Sequence, residues 1–217
     1  MNDRTIDFIP LFKFSLQQYK KYTSFVIGVM VTYFVLGVVP NIYFMLRAPE
    51  TPTFNSQIIS FILTLLQLFI SFGFIKVMLF LIDDKHVEVA DLFNNFRGFL
   101  SYFVANFLFL IAVGIGLILF IIPGIFIAIR FQFYPYFILE NGDNSFTALK
   151  KSFDLSQNLT LELFLFGIAV FALNFLGILL LGIGLIFTFP LTTMATAVIY
   201  KGLVQESHTI PVNSYRV

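Results

Sequence analysis

The pentapeptide Gly114-Ile115-Gly116-Leu117-Ile118 is written twice, returning as Gly182-Ile183-Gly184-Leu185-Ile186. Each copy sits inside a long apolar stretch, and each is followed within a few residues by a proline, Pro123 and Pro190. A short repeat embedded in hydrocarbon-like sequence points to a duplicated membrane hairpin.

Composition supports that class. Of 217 residues, 59% are hydrophobic, 12% are charged and 31 are phenylalanine. Soluble domains carry about a quarter charged residues. A folded soluble protein of this size could not hide so much apolar surface, so lipid must solvate part of it. Cysteine is absent, which removes disulfides, thiolate metal sites and cysteine nucleophiles. Tryptophan is absent too, so an interfacial aromatic belt has to be built from Tyr and Phe. The net charge of +1 indicates no partner by bulk electrostatics, and nucleic acid is not expected as one. More than twenty residues, several of them charged, precede the first apolar run, which lacks a small-x-small cleavage site; the reading is therefore not a cleavable signal.

A helix needs roughly 20 apolar residues to cross the hydrocarbon core. Six such segments are expected, at about 24–46, 57–82, 99–113, 117–139, 159–181 and 185–204. The third and fourth could be divided at the glycine pair or at Pro123-Gly124. In the second copy, dividing at Gly182 and Gly184 leaves two helices of normal length, whereas dividing at Pro190 does not. By analogy both turns are expected at the Gly-Ile-Gly elements, with Gly114 and Gly116 forming the first. Pro123, beside Gly124, and Pro190 then fall inside the following helices and kink them.

Positive charge sets the expected orientation. Arg4, Lys13, Lys20 and Lys21 precede the first span. Lys85 and Arg97 separate the second from the third, Lys150 and Lys151 the fourth from the fifth, and Lys201 and Arg216 come last. The opposite side has only Arg47, in the loop 47–56 with Ala48-Pro49-Glu50-Thr51-Pro52 at its centre. Both termini are expected in the cytoplasm, with a multi-pass location in the cell inner membrane.

Three segments on the cytoplasmic side are amphipathic at helical spacing. In 11–22, Lys13, Gln17, Lys20 and Lys21 share one arc. In 90–100, Asp91, Asn94, Asn95 and Arg97 oppose Leu92, Phe93, Phe96, Phe99 and Leu100. In 145–157, Thr147, Lys150, Lys151 and Asp154 oppose Phe146, Leu149 and Phe153, with Ser145 placed as N-cap. All three fit helices lying in the headgroup plane. The expectation is an all-α polytopic membrane protein. Residues 1–204 form one six-helix domain, built from hairpin units at about 7–82, 84–139 and 145–204, and 205–217 form a polar tail.

Several elements together resemble a known group: Ile122-Pro123-Gly124-Ile125, then Arg130, Pro135 and Glu140, then Ser145 to Phe153, then Leu181-Gly182-Ile183-Gly184-Leu185 with Pro190. They are similar to the membrane domain joined to some glycerophosphoryl diester phosphodiesterases, and to the related YciC-like inner-membrane proteins of bacteria. The likeness covers roughly residues 84–204. It implies a six-helix integral membrane domain. The phosphodiesterases carry a separate soluble catalytic barrel, for which this chain has no room, so no diesterase activity is implied.

Among polar residues Arg130 stands out. On the expected boundaries it lies roughly 13 Å deep, at 1.5 Å per residue. A central arginine costs about 2.5–3.5 kcal/mol on insertion scales, so it must face the bundle, a partner or water. One reading is an anion or lipid-headgroup contact in a cytoplasm-open cavity, with Gln132, Tyr134, Tyr136 and Glu140 completing the ligand-binding set. The other is a structural pair with Glu140 or Glu162, or snorkelling. Lys76 also reads as snorkelling, and Asn106 and Asn174 as interhelical hydrogen-bonding groups. Thr188, Thr192 and Thr193 surround Pro190 and are expected to re-satisfy backbone freed by the kink. Neither His86 nor His208 has a second ligand at metal spacing, and Asp83-Asp84 reads as a helix end. No Walker loop, nucleophile elbow or HExxH motif is present. These features predict no catalytic residue, metal or cofactor. They favour a non-catalytic membrane protein acting as scaffold, partner subunit or envelope-homeostasis factor. Its expected partners are membrane lipids and either another membrane protein or further copies of itself. The alternative is a small transporter or channel for an anionic or amphipathic solute, using Arg130.

Overall fold

In hydrocarbon a helix satisfies every backbone N–H and C=O within its own segment, so long apolar runs fold that way. The computed structural model describes residues 8–47, 53–180 and 182–207. Among them, six helices are long and apolar enough to cross a membrane: Thr23–Arg47, Phe54–Ile82, Phe96–Leu119, Ile121–Asn141, Thr160–Leu179 and Leu185–Gln205. No strand occurs among the described residues. The centre of the 47–56 loop and nearly all of the 205–217 tail lie outside them.

Helix α1 (Phe8–Lys21) precedes the first span, which is α2 (Thr23–Tyr33) and α3 (Val39–Arg47) joined by a π-helical turn at Phe34–Val38. The cause of the wider turn is Pro40, which has no N–H to offer Leu36. The Asn41 amide takes up slack by donating to the Gly37 carbonyl at 2.9 Å. Helix α4 (Phe54–Ile82) starts at a reciprocal cap in which Thr53 N donates to Ser56 Oγ and Ser56 N to Thr53 Oγ1.

The two copies of the repeat part company here. Helix α5 (Phe96–Leu119) runs straight through Gly114 and Gly116, so the first turn is not at the glycines. The chain turns at Phe120, which is extended at φ −162°, ψ 152°. Helix α6 (Ile121–Phe131) then begins, with Pro123 as its third residue. The first N–H groups of a helix have no intrahelical partner, so Pro123 loses nothing there and does not kink α6. The kink of the fourth span lies at Gln132-Phe133, just before α7 (Tyr134–Asn141), whose second residue is Pro135. The second copy turns where expected. Helix α9 (Thr160–Leu179) ends just ahead of Gly182, which adopts φ +76°, and α10 (Leu185–Ser207) follows with Pro190 in its interior.

The amphipathic segments also divide. The segments at 11–22 and 145–157 form α1 and α8 (Ser145–Leu155). The N-cap of α8 is Asn144, whose side chain accepts from Thr147 N at 2.9 Å; Ser145 instead donates to the Ser101 carbonyl. The segment 90–100 is not one helix. A short 3-10 turn, Val89–Leu92, is followed by a break at Phe93 to Asn95, and α5 starts at Phe96. The break presses the linker onto α4, where a Cβ on Gly73 would lie 2.0 Å from the Leu92 carbonyl oxygen. Leu92 is fully buried, and the Asn95 amide donates to the Asp91 and Leu92 carbonyls.

Burial is uneven along the bundle. The second half of α4 from Ile70 to Ile82, Phe133 to Ile138, and Met194 to Leu203 of α10 supply most of the core. The hairpin tips are bare: Ile118, Phe120, Ile122, Leu179 and Leu180 are exposed, a surface only lipid can solvate. Helix α10 packs against α1, α2, α4 and α9, so the first and last described helices meet.

Candidate functional site

The break at Gln132-Phe133 organises the centre of the bundle. Pro135 removes an N–H and would press its ring on the carbonyl of residue 131, so a continuous helix cannot form there. The freed groups are re-satisfied by α8. Ser152, fully buried, accepts from Phe133 N at 3.0 Å and donates to the Arg130 carbonyl at 2.9 Å. Ser156 donates to the same carbonyl at 3.3 Å. A hydroxyl from a neighbouring helix thus spans the break, and the side chains on either side of it point in different directions.

Arg130 points to the α6–α8 side. Its guanidinium lies over the rings of Phe126 and Phe153, 4.9 Å from each centroid. Its Nη1 donates to the Phe153 carbonyl at 3.3 Å, in the last turn of α8. A cation there complements the negative end of the helix dipole, and two aromatic faces replace part of its hydration. Neither Glu140 nor Glu162 is its ion-pair partner among the described residues.

Gln132 and Tyr136 face the other way, into a cavity of about 360 Å³. Its walls include Tyr33 of α2, Ser71 and Phe74 of α4, Asn174 of α9, and Phe189, Thr192 and Thr193 of α10. Tyr33 and Ser71 share a hydrogen bond at 3.3 Å, and the Tyr136 hydroxyl reaches the Thr193 carbonyl at 3.5 Å. The Asn174 Nδ2 donates to the Val170 carbonyl at 3.0 Å and to Thr192 Oγ1 at 3.2 Å. Thr192 and Thr193 both donate to the Phe189 carbonyl. That is not the carbonyl freed by Pro190, which belongs to residue 186, and the buried Thr188 Oγ1 has no hydrogen-bond partner, so the three threonines do not re-satisfy that backbone as expected.

Tyr134 and Glu140 lie elsewhere. Tyr134 accepts from the Asn106 amide at 3.0 Å, an α5–α7 bond, and its ring stacks with Tyr102. Glu140 forms an ion pair with Lys201, which also bonds Asp83 at 2.9 Å, joining α7, α10 and the end of α4. Of the five expected ligand-binding residues, therefore, two share the cavity and three serve separate contacts.

Lys76 and Asp84 hold linkers. Lys76 donates to the Asn94 carbonyl at 3.1 Å and lies 3.6 Å from Asp91, tying the α4–α5 linker to α4. Asp84 accepts from Lys21 at 2.7 Å and Tyr22 at 3.0 Å. The hydrogen bond from Lys21 is the main reason the Asp84 carboxyl is held below its ordinary value, and the same bond raises Lys21. Exposed pairs of this kind contribute little to stability. No group of three or more His, Cys, Asp or Glu residues gathers into a metal-binding cluster among the described residues.

Sequence reasoning found Gln132 and Tyr136 by their nearness to Arg130, and recognised Asn106 and Asn174 as interhelical amides. It missed Ser152, Phe126 and Phe153. A helix break at Pro135 was the available signal, since it frees backbone groups that a nearby hydroxyl can bond. Comparison with protein-family models, with curated proteins and with solved structures finds no match for this chain.

Proposed function

We propose that this chain is a non-catalytic integral membrane protein of the bacterial inner membrane, acting as a scaffold, partner subunit or envelope-homeostasis factor, with both termini in the cytoplasm. The observation that carries this reading is the position of Arg130. A transport site would use that guanidinium to hold its anion, whereas Nη1 is bonded to the end of α8 and the guanidinium lies over the rings of Phe126 and Phe153. The interior is packed with aromatic pairs such as Phe72–Tyr102 and Tyr136–Tyr200, and its charges join helix ends. The lysine-rich side, bearing Lys20, Lys21, Lys85, Lys150 and Lys151, supports the orientation. The resemblance of residues 84–204 to the membrane domain of the phosphodiesterases supports the inner-membrane assignment.

Two measurements on the full chain test this. Purified protein in liposomes is expected to release a trapped anionic dye no faster than protein-free liposomes. Cysteine-specific crosslinking from Lys150→Cys, in native membranes, is expected to give a discrete adduct with a second membrane protein or a second copy. Dye release that is lost in Arg130→Ala would replace this reading with the anion transporter.

A further inference from the structure

We infer that the outward face of α1 binds anionic phospholipids, with Lys13 and Lys20 holding the headgroups. The inference stands independently of the scaffold reading. It rests on where the two ends of α1 are anchored and on what its free side carries.

The inner side of α1 is committed to the bundle. Ser15, Gln18 and Tyr19 are buried, and the helix packs against α10. At its start, Phe8 and Phe12 set their rings 6.3 Å and 5.8 Å from that of Phe166, in the second turn of the membrane-spanning α9. At its end, Lys21 and Tyr22 bond to Asp84, just past α4. One end of α1 thus reaches an apolar span while the other sits among charges, which places the helix at the boundary of hydrocarbon and headgroups. The opposite side is free. Ile9, Lys13, Leu16, Gln17 and Lys20 share one arc at the helical period, and all five are exposed, Ile9 at 80%. An arc that mixes large apolar side chains with lysines suits neither water nor hydrocarbon alone. At the boundary both are satisfied: Ile9 and Leu16 enter the acyl region, and the lysine stems carry their ammonium groups out to the phosphates.

Charge selects the lipid. Helix α1 contains no acidic residue, and neither Lys13 nor Lys20 has an ion-pair partner among the described residues. Lys21, by contrast, is paired with Asp84. Lys13 and Lys20 stand about 10 Å apart along the helix, far enough for each to hold its own headgroup. Two uncompensated cations favour a headgroup of net negative charge over a zwitterionic one. Helix α8 supplies the contrast. Its exposed Lys150 is followed one turn later by the exposed Asp154, and Lys151 is paired with Asp143. The free side of α8 therefore lacks the excess charge that α1 carries.

The chain has no tryptophan, so Leu16→Trp, between the two lysines, provides a single indole reporter. The full chain carrying it is reconstituted in phosphatidylcholine vesicles with about one phosphatidylglycerol in five lipids, the same in both leaflets. Bromine is carried on the acyl chains either of the phosphatidylglycerol or of an equal amount of the phosphatidylcholine. Bromine quenches an indole only at contact, so the quenching reads which lipid lies beside α1. Phosphatidylglycerol is expected to be enriched there by about three-fold or more. That enrichment is expected to vanish in Lys13→Gln/Lys20→Gln, and in about 1 M salt, where the screening length is about 3 Å. It is expected to persist in Lys150→Gln. Ile118→Trp, at the bare hairpin tip, is expected to show no preference. Equal quenching by the two lipids at Leu16→Trp overturns the inference, as does no quenching by either, which would leave α1 facing water or an acidic soluble protein. An enrichment that survives the loss of both lysines, or that appears equally at Ile118→Trp, overturns it too. If the double variant fails to fold, the salt series decides: enrichment undiminished in high salt refutes a charge-held lipid.

Discussion

The two copies of Gly-Ile-Gly-Leu-Ile share five letters and differ in what the backbone does. In the first copy both glycines are helical, and the chain turns four residues beyond Gly116. In the second the leading glycine is itself the turn, at φ +76°. What the copies share is packing at the second glycine. A Cβ on Gly116 would lie 2.8 Å from the Gly124 Cα, and one on Gly184 would lie 2.6 Å from the Gly177 Cα. In each hairpin two backbones touch at a glycine pair. The partner lies downstream in the first copy and upstream in the second. The repeat thus conserves a helix contact while the turn moves around it, and the prolines explain the difference. Pro123 forces a helix start just ahead of itself, whereas Pro190 lies deeper in α10 and leaves the turn to Gly182.

The strongest way to break this comparison is to fill the shared contact. Gly116→Leu and Gly184→Leu are each expected to destabilise the protein by about 3 kcal/mol, the upper part of the usual overpacking range, because backbone cannot rotate aside. Thermal unfolding in detergent measures this, and a wild-type midpoint in either variant would dismiss the glycine contact. Next comes the turn. Gly182→Ala has open space around it but a left-handed backbone, so a loss of about 1–2 kcal/mol is expected by the same assay. The prolines should separate more modestly. Pro190→Ala restores a donor to the helix interior and is expected to stabilise by about 0.5–1.5 kcal/mol, while Pro123→Ala, in the first turn, is neutral. Equal gains from both would place Pro123 beyond the first turn of its helix. One glycine change has the opposite sign to the glycine losses. Gly114→Ala, helical and unhindered, is expected to raise stability by about 0.5–1 kcal/mol, where its counterpart Gly182→Ala lowers it.

The six spans were legible because hydrocarbon demands length and apolarity, and both are written in composition. Turn placement was legible only in the second copy. In the first, Ile122-Pro123-Gly124 marked the break, and analogy with the second copy drew the reading away from it. The linker 90–100 carried a sound amphipathic pattern, yet the Gly73 notch on α4 captures Leu92 and breaks the helix. A one-dimensional pattern cannot show a notch on another helix. The site was half legible for a similar reason. Sequence neighbours of Arg130 were grouped together, but Pro135 breaks the helix between Arg130 and Tyr136 and sends them to opposite sides. Asn174, more than forty residues from Gln132 in sequence, joins it only through the packing of α9 and α10.

The meeting of α1 with α10 has a consequence for biogenesis. Helices enter the membrane in the order of synthesis, yet the groove that holds α1 is completed only by the last span. Until α10 arrives, α1 and α2 lack one of the walls they pack against. The seam between α1 and α10 can therefore close only when both are in the membrane, whatever the hairpins between them have already formed.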